Sequence, residues 1–322
     1  MDTVLELEHL TVRFDTKAGN VSAVTDLNLT IQRGECIGIV GESGSGKSQT
    51  FLASLGLLAG NGKTMGRALF RGQDLLKMNR DELDKLRGDR VTMIFQDSGT
   101  SLTPHMRIGE QLMEVLVAHK GHAPDVARKR VLEVMESMRI PDIEKRLTQY
   151  PHEFSGGMRQ RVMIAMALVC QPDLLIADEP TTALDVTVQA QILNLFRALK
   201  AHTKSSIVLI THDLGVVAGL CDRVVVMYGG RMVEEAPVAD IFASPKHPYT
   251  QGLLRCMPRL DQLLDTDLEA IPGQPPNLQK LPKGCAFAER CTQAIERCHT
   301  ERPILRQLSP TRRAACHLLD AA

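Results

Sequence analysis

Residues Gly41-Glu42-Ser43-Gly44-Ser45-Gly46-Lys47-Ser48 follow the pattern G-x-x-x-x-G-K-[ST]. Glycines at this spacing let successive backbone N–H groups turn inward around phosphate oxygens, and a helix starting at the loop's end points its positive pole at them. In such a loop Lys47 reaches the β- and γ-phosphates, the Ser48 hydroxyl binds Mg²⁺, and Gln49 opens the helix behind them. An acidic partner follows in Leu174-Leu175-Ile176-Ala177-Asp178-Glu179. An aspartate ending a buried strand holds the Mg²⁺ shell, and a glutamate directly after it polarises the attacking water as a general base. Gln96, after Val91–Phe95, ends another strand within reach of the metal or that water. His212, after Ile207–Thr211, is placed to hydrogen-bond a γ-phosphate. The candidate catalytic residues are therefore Glu179, His212 and Gln96, and the candidate metal ligands here are Ser48, Gln96 and Asp178.

A second anion-binding surface lies in Phe154-Ser155-Gly156-Gly157-Met158-Arg159-Gln160-Arg161. Ser155 caps a helix, and Gly156 and Gly157 leave backbone amides exposed at its positive end. Two such surfaces on one chain fit two subunits packed head to tail, each closing the other's site.

These residues need a scaffold, and the hydrophobic pattern supplies one. Residues 1 to about 35 alternate apolar and polar positions on either side of Lys17-Ala18-Gly19-Asn20, which predicts antiparallel strands around a loop. Cys36–Val40 is a short apolar run that predicts a buried strand, and Gln49–Leu58 has helical spacing, so strand, glycine loop and helix follow one another. From about 97 to 170 the spacing is helical, through Val131, Val134, Met135 and Met138 and through Val162, Ala165 and Met166. Leu174–Ala177 and Ile207–Ile210 predict two further buried strands, parallel in a sheet because a helix near Thr187–His202 separates them. Prolines crowd the chain beyond Ala236, which places a domain boundary near 240.

Composition narrows the function. With 322 residues, 43% hydrophobic and 24% charged, the chain is globular rather than disordered. Lys plus Arg is 38 and Asp plus Glu is 38, so the basic excess of a nucleic-acid binder is absent. With no Trp and 3% aromatics, base-stacking platforms are excluded. The longest apolar run, Val162–Cys170, is far too short to span a bilayer, and the first residues carry no signal-peptide pattern, which together predict a cytosolic protein. Four of the eight cysteines, Cys285, Cys291, Cys298 and Cys316, fall in the last 40 residues, separated by five, six and seventeen residues. Four thiolates brought together can hold Zn²⁺ or an iron–sulfur cluster, although this spacing matches neither a zinc ribbon nor the common ferredoxin runs.

The motifs in this order resemble those of ATP-binding cassette (ABC) proteins: Walker A at 41–48, the glutamine loop at Gln96, the signature at 154–158, Walker B at 174–179, the Ala183-Leu184-Asp185 loop and the switch histidine His212. The resemblance implies an α/β fold: a P-loop nucleotide-binding domain with an antiparallel β subdomain and a helical subdomain, plus a small C-terminal cysteine-containing domain. It implies binding of ATP with Mg²⁺ through Gly41, Ser43, Gly44, Ser45, Gly46, Lys47, Ser48, Gln49, Gln96 and Asp178, and through Ser155, Gly156 and Gly157 on the paired subunit. Two departures stand out. The signature reads Phe-Ser-Gly-Gly-Met where the general form is Leu-Ser-Gly-Gly-Gln, and the adenine-stacking aromatic is represented only by Phe14, with Val21 where other cassettes have Tyr.

More narrowly, Val40–Gln49, Met93–Asp97, Tyr150–Ala167, His247-Pro248-Tyr249-Thr250 and Ile271–Asn277 resemble the ATPases of oligopeptide/dipeptide importers. Here Asp97-Ser98-Gly99-Thr100 departs from the family's usual Asp-Pro-Met-Thr. This resemblance implies an ABC ATPase domain over 1–240, with its helical subdomain at about 97–170, and an importer-specific C-terminal domain over 241–322. It further implies a peripheral protein at the cytoplasmic face of the inner membrane, working with a second, paralogous ATPase subunit, two transmembrane permeases and a periplasmic or lipoprotein peptide-binding protein, and with no nucleic acid. It also implies a [4Fe–4S] cluster on Cys285, Cys291, Cys298 and Cys316, with Zn²⁺ as the alternative. The rival function is a soluble ABC ATPase of DNA repair or translation. Such proteins carry two cassettes, coiled-coil inserts or a basic surface, and none of these is present in the sequence.

Overall fold

A computed structural model describes residues 2–96, 101–182, 184–257 and 270–320. The first elements are β1 (Thr3–Thr16), β2 (Gly19–Gln32), β3 (Cys36–Val40), α1 (Lys47–Ser54), β4 (Gly62–Phe70) and β5 (Gln73–Asp74). Next come α2 (Arg80–Leu86), β6 (Val91–Ile94), α3 (Ile108–Lys120), α4 (Pro124–Ser137), α5 (Ile143–Leu147), α6 (Gly156–Leu168), β7 (Leu174–Asp178) and α7 (Val186–His202). The remainder are β8 (Ser206–Thr211), α8 (Leu214–Ala218), β9 (Arg223–Tyr228), β10 (Arg231–Pro237), α9 (Val238–Ala243), α10 (Pro248–Arg255), α11 (Glu296–Thr300), β11 (Arg306–Ser309) and β12 (Arg312–Ala314).

The chain forms two compact units. One gathers Met1–Val4, Gln32–Glu35 and Lys77–Leu209; the other gathers Leu5–Ile31, Cys36–Leu76 and Ile210–Ala322. The first unit holds the helical section. Leu112 and Leu116 of α3, Val131, Val134 and Met135 of α4, and Val162, Ile164 and Ala165 of α6 are all buried, so the faces predicted from three- and four-residue spacing are the ones that pack. Within the stretch read as helical from about 97, the first helix among the described residues is α3 at Ile108, and β6 stops at Ile94, leaving Phe95 exposed. Strand β6 runs parallel to β7 in register, with Val91 opposite Leu174 and Ile94 opposite Ala177.

The second unit contains two groups of strands. One is an antiparallel sheet in the order β2-β1-β4-β5, with β1 paired to β4 from Leu5↔Phe70 to Phe14↔Gly62. The other begins with β3, whose five residues are all buried, as a strand covered on both faces requires. Parallel β9 flanks β3, antiparallel β10 follows, and the C-terminal strands β12 and β11 continue the order. Residue Arg312 at the start of β12 donates to the wholly buried Glu234 of β10 at 2.7 Å. Helix α1 ends four residues before the predicted Leu58. Gly56 adopts φ +64°, and the Leu57 N–H returns to the Leu52 carbonyl at 2.8 Å, a left-handed C-terminal cap.

Candidate functional site

The phosphate-type loop lies in the second unit, between the buried strand β3 and helix α1. Gly46 is the N-cap of α1 at φ +96°, and a Cβ there would lie 2.3 Å from the Ala23 carbonyl oxygen, so only glycine fits. Lys47 is buried, and its Nζ donates to the carbonyls of Gly41 at 2.8 Å and Glu42 at 3.0 Å. The ammonium is thereby held across the loop rather than in solvent. Ser43 and Gly44 are exposed at the rim, and Ser48 and Gln49 are half-buried in the first turn of α1. Ser45 is 4% exposed, and its hydroxyl has no hydrogen-bond partner among the described residues. A buried, unpartnered hydroxyl among backbone amides at a helix N-terminus is suited to an anionic oxygen, and the loop's residues fit a nucleotide's phosphates. His212 belongs to the same unit and is exposed, at a turn where the Asp213 N–H donates to the Thr211 hydroxyl at 3.0 Å.

The acidic candidates lie in the first unit. Asp178 is the buried last residue of β7, and Glu179 follows it at φ +47°, a left-handed backbone that a non-glycine residue adopts only when its surroundings impose it. The Gln96 side-chain amide donates to Glu179 Oε2 at 2.9 Å, and the Thr182 hydroxyl donates to the same oxygen at 2.8 Å. The Thr182 N–H also donates to the Glu179 carbonyl at 3.1 Å, closing the turn after β7. Strand register explains the first contact. Ile94 and Ala177 are paired, so residues two positions beyond each emerge side by side. Thr182 was not apparent from the sequence; its signal is a hydroxyl three residues after the candidate base.

In the same unit Ser155 is the N-cap of α6 and accepts from the Met158 N–H at 3.4 Å. Around Gly156 there is open space, whereas a Cβ on Gly157 would lie 2.7 Å from Cγ1 of Val188 in α7. The small residue is needed for close approach of two helix N-termini, and α7 is itself capped by Asp185, which accepts from the Val188 N–H at 2.9 Å. Of the Ala183-Leu184-Asp185 loop, Ala183 lies outside the described residues, as do Ser98 and Gly99. Phe14 is half-buried in β1 opposite Gly62, and Val21 is half-buried in β2.

The C-terminal cysteines correct an expectation. Cys285, Cys291, Cys298 and Cys316 line one cavity, but its volume is about 10 Å³, room for roughly one water. Burial pushes the Cys285 thiol up to about 11 and raises Cys291 and Cys316 too, so without a bound ion these three thiols are neutral. Among the described residues no group of three or more His, Cys, Asp or Glu is arranged to hold a metal ion. The predicted [4Fe–4S] cluster is therefore not supported, and Zn²⁺ finds no site there either.

Residues 24–182 match the family model of the ABC transporter, and residues 233–298 match that of the oligopeptide/dipeptide transporter C-terminal region. The chain is 55% identical to the oligopeptide transport ATP-binding protein OppD of Salmonella typhimurium, over 98% of this chain and 93% of the relative. It is 49% identical to the dipeptide transport ATP-binding protein DppD of Bacillus subtilis, over 99% of this chain and 96% of the relative. Among solved structures it resembles a dimeric bacterial ABC transporter cassette, with TM-score 0.66 and 28% identity over 73% of this chain and 98% of that one. It also resembles cbiO1 of Clostridium perfringens, with TM-score 0.64 and 30% identity over 76% and 92% of the two chains.

Proposed function

The chain belongs to the ATP-binding subunits of oligopeptide and dipeptide ABC importers, and from that premise we propose how its residues carry out the work. Its activity is ATP hydrolysis coupled to peptide import on an ABC ATPase fold, and the observation that carries this conclusion is 55% identity to an oligopeptide transport ATPase across nearly the whole of both chains. The same likeness excludes a DNA-repair or translation ATPase.

Gly41, Ser43, Gly44, Ser45, Gly46, Lys47, Ser48 and Gln49 cradle the phosphates of ATP, with the partnerless Ser45 hydroxyl in support. Ser48, Asp178 and Gln96 offer the hard oxygen donors that suit Mg²⁺, and they would hold it. When bound, the ion neutralises charge on the phosphate oxygens. Glu179 is the general base, its carboxylate oriented by Gln96 and Thr182. His212 contacts the γ-phosphate. Ser155, Gly156 and Gly157 close the site of a second cassette packed head to tail, and that cassette is a paralogue.

We assign the ABC ATPase domain to 1–240, with its helical subdomain at about 97–170, and the importer-specific domain to 241–322; the C-terminal family match at 233–298 is in keeping with this boundary. Among the described residues no helix is long and apolar enough to cross a membrane. The subunit is peripheral, at the cytoplasmic face of the inner membrane, on two permeases fed by a peptide-binding protein. Affinity purification of the tagged chain from gently solubilised membranes tests the assembly. Two multi-spanning permeases, a second cassette and a peptide-binding protein are expected; recovery of soluble partners alone would contradict it.

A further inference from the structure

We propose that Arg290 is a positioning residue for nucleotide binding: its guanidinium neutralises and orients Glu42, the second residue of the phosphate loop, so that the loop accepts a triphosphate. The two residues are 248 positions apart and belong to the same unit. Nη1 donates to Glu42 Oε2 at 2.7 Å and Nη2 to Oε1 at 3.0 Å, a two-pronged pair that fixes the carboxylate plane. The guanidinium has little freedom to do anything else. Its Nε donates to the Pro272 carbonyl at 2.8 Å, Nη2 also reaches the Ile271 carbonyl at 3.3 Å, and Nη1 reaches the Tyr228 hydroxyl at 3.2 Å. The rings of Tyr228 and Phe287 lie 5.8 and 6.0 Å from its central carbon.

Glu42 is held at its backbone as well. Its N–H donates to the hydroxyl of the fully buried Tyr249 at 2.9 Å, and its carbonyl accepts from Lys47 Nζ. One residue thus joins the phosphate-binding lysine to two anchors, Arg290 of the C-terminal segment and Tyr249 of α10, through three hydrogen bonds. The charge matters as much as the position. A bare carboxylate in a loop that must take up a polyanion would repel it, and Arg290 cancels that charge at contact distance. Lysine could not replace it fully, since a point charge cannot engage both oxygens in one plane.

The inference rests on the ATPase assignment, and its test separates the two. Equilibrium binding of Mg²⁺ with AMP-PNP, a non-hydrolysable ATP analogue, is measured on the full-length chain; a parent chain that failed to bind would sink the ATPase assignment itself. Arg290→Ala is expected to bind about tenfold more weakly, and Arg290→Lys about fivefold. Adding Glu42→Gln to Arg290→Ala removes the uncompensated charge and is expected to recover at least about half of the lost affinity on a logarithmic scale. A purely structural role would lower the thermal midpoint with no such recovery. Should Arg290→Ala not fold, Arg290→Lys decides alone: a loss of about threefold or more supports the proposal, and a smaller one overturns it. If Arg290→Ala folds, binding within about threefold of the parent, or no recovery from Glu42→Gln, also overturns it.

Discussion

Gln96 and Glu179, 83 residues apart, meet through a 2.9 Å hydrogen bond because each stands two positions beyond a paired residue of parallel neighbouring strands. The candidate base is therefore oriented by sheet register rather than by a flexible loop. Its left-handed backbone and the Thr182 hydroxyl complete the restraint. A carboxylate fixed in this way has its remaining lone pairs directed before a water arrives, which is what a general base needs.

The Ser45 hydroxyl yields a prediction of opposite signs. Removing a buried, unpartnered hydroxyl is neutral or mildly stabilising, whereas losing a donor to phosphate weakens binding. Ser45→Ala is expected to match or exceed the parent's thermal midpoint without nucleotide while binding ATP about fivefold more weakly. Thermal melts with and without ATP, together with calorimetric titration, check both halves.

The ion pair between Arg312 and Glu234 joins β12 to β10 in the interior. Glu234 also accepts from the N–H groups of Lys246 at 2.8 Å and His247 at 2.9 Å, but without Arg312 its charge is uncompensated. Arg312→Ala is expected to destabilise by about 3–5 kcal/mol, and Glu234→Gln with Arg312→Met by much less, because the double change leaves no buried charge. Urea denaturation of the two variants decides it; equal losses would show that packing, not charge, sets the effect.

His247 predicts a pH dependence. Burial lowers its pKa to about 4, and its Nδ1 accepts from the Tyr249 N–H at 3.0 Å, so the folded ring is neutral. In the unfolded chain the ring takes up a proton below about 6.5, and the folded chain does so only near 4; the associated stability is present above 6.5 and lost as pH falls toward 4. This group alone accounts for a loss of about 2 kcal/mol between pH 7 and pH 5. His247→Asn keeps a capping acceptor without the titration, so its stability is expected to fall by about 2 kcal/mol less over that interval. Parallel slopes in denaturant titrations of the two proteins would contradict the assignment.

The parts of this molecule written locally were legible in the sequence. The run Cys36–Val40, the glycine loop and a helix directly after it are contiguous, and so are Leu174–Ala177 and Asp178; hydrophobic period and glycine spacing identify both, although the helix read as opening at Gln49 starts at Lys47. The helical stretch was legible for the same reason. What escaped depends on chain segments far apart. The hairpin of β9 and β10, with Val224, Val225 and Val226 buried, and its extension by β12 were not foreseen, since nothing local tells a valine run which strand it will flank. The hold of Tyr249 and Arg290 on Glu42 spans 207 and 248 residues, beyond any motif spacing. The cysteine cluster misled in the other direction. The four thiols share one cavity, as their grouping suggested, but among the described residues no group of three or more such side chains is arranged to hold a metal ion.

The most direct test of the account is peptide uptake by the complete transporter in sealed vesicles, comparing the parent chain with Glu179→Gln. ATP and a labelled oligopeptide are supplied on the appropriate sides. The account predicts ATP-dependent accumulation with the parent. With Glu179→Gln it predicts normal nucleotide binding, hydrolysis reduced by about 10²–10⁴-fold, and no accumulation. Uptake at the parent rate with Glu179→Gln, or uptake indifferent to this subunit, would contradict it.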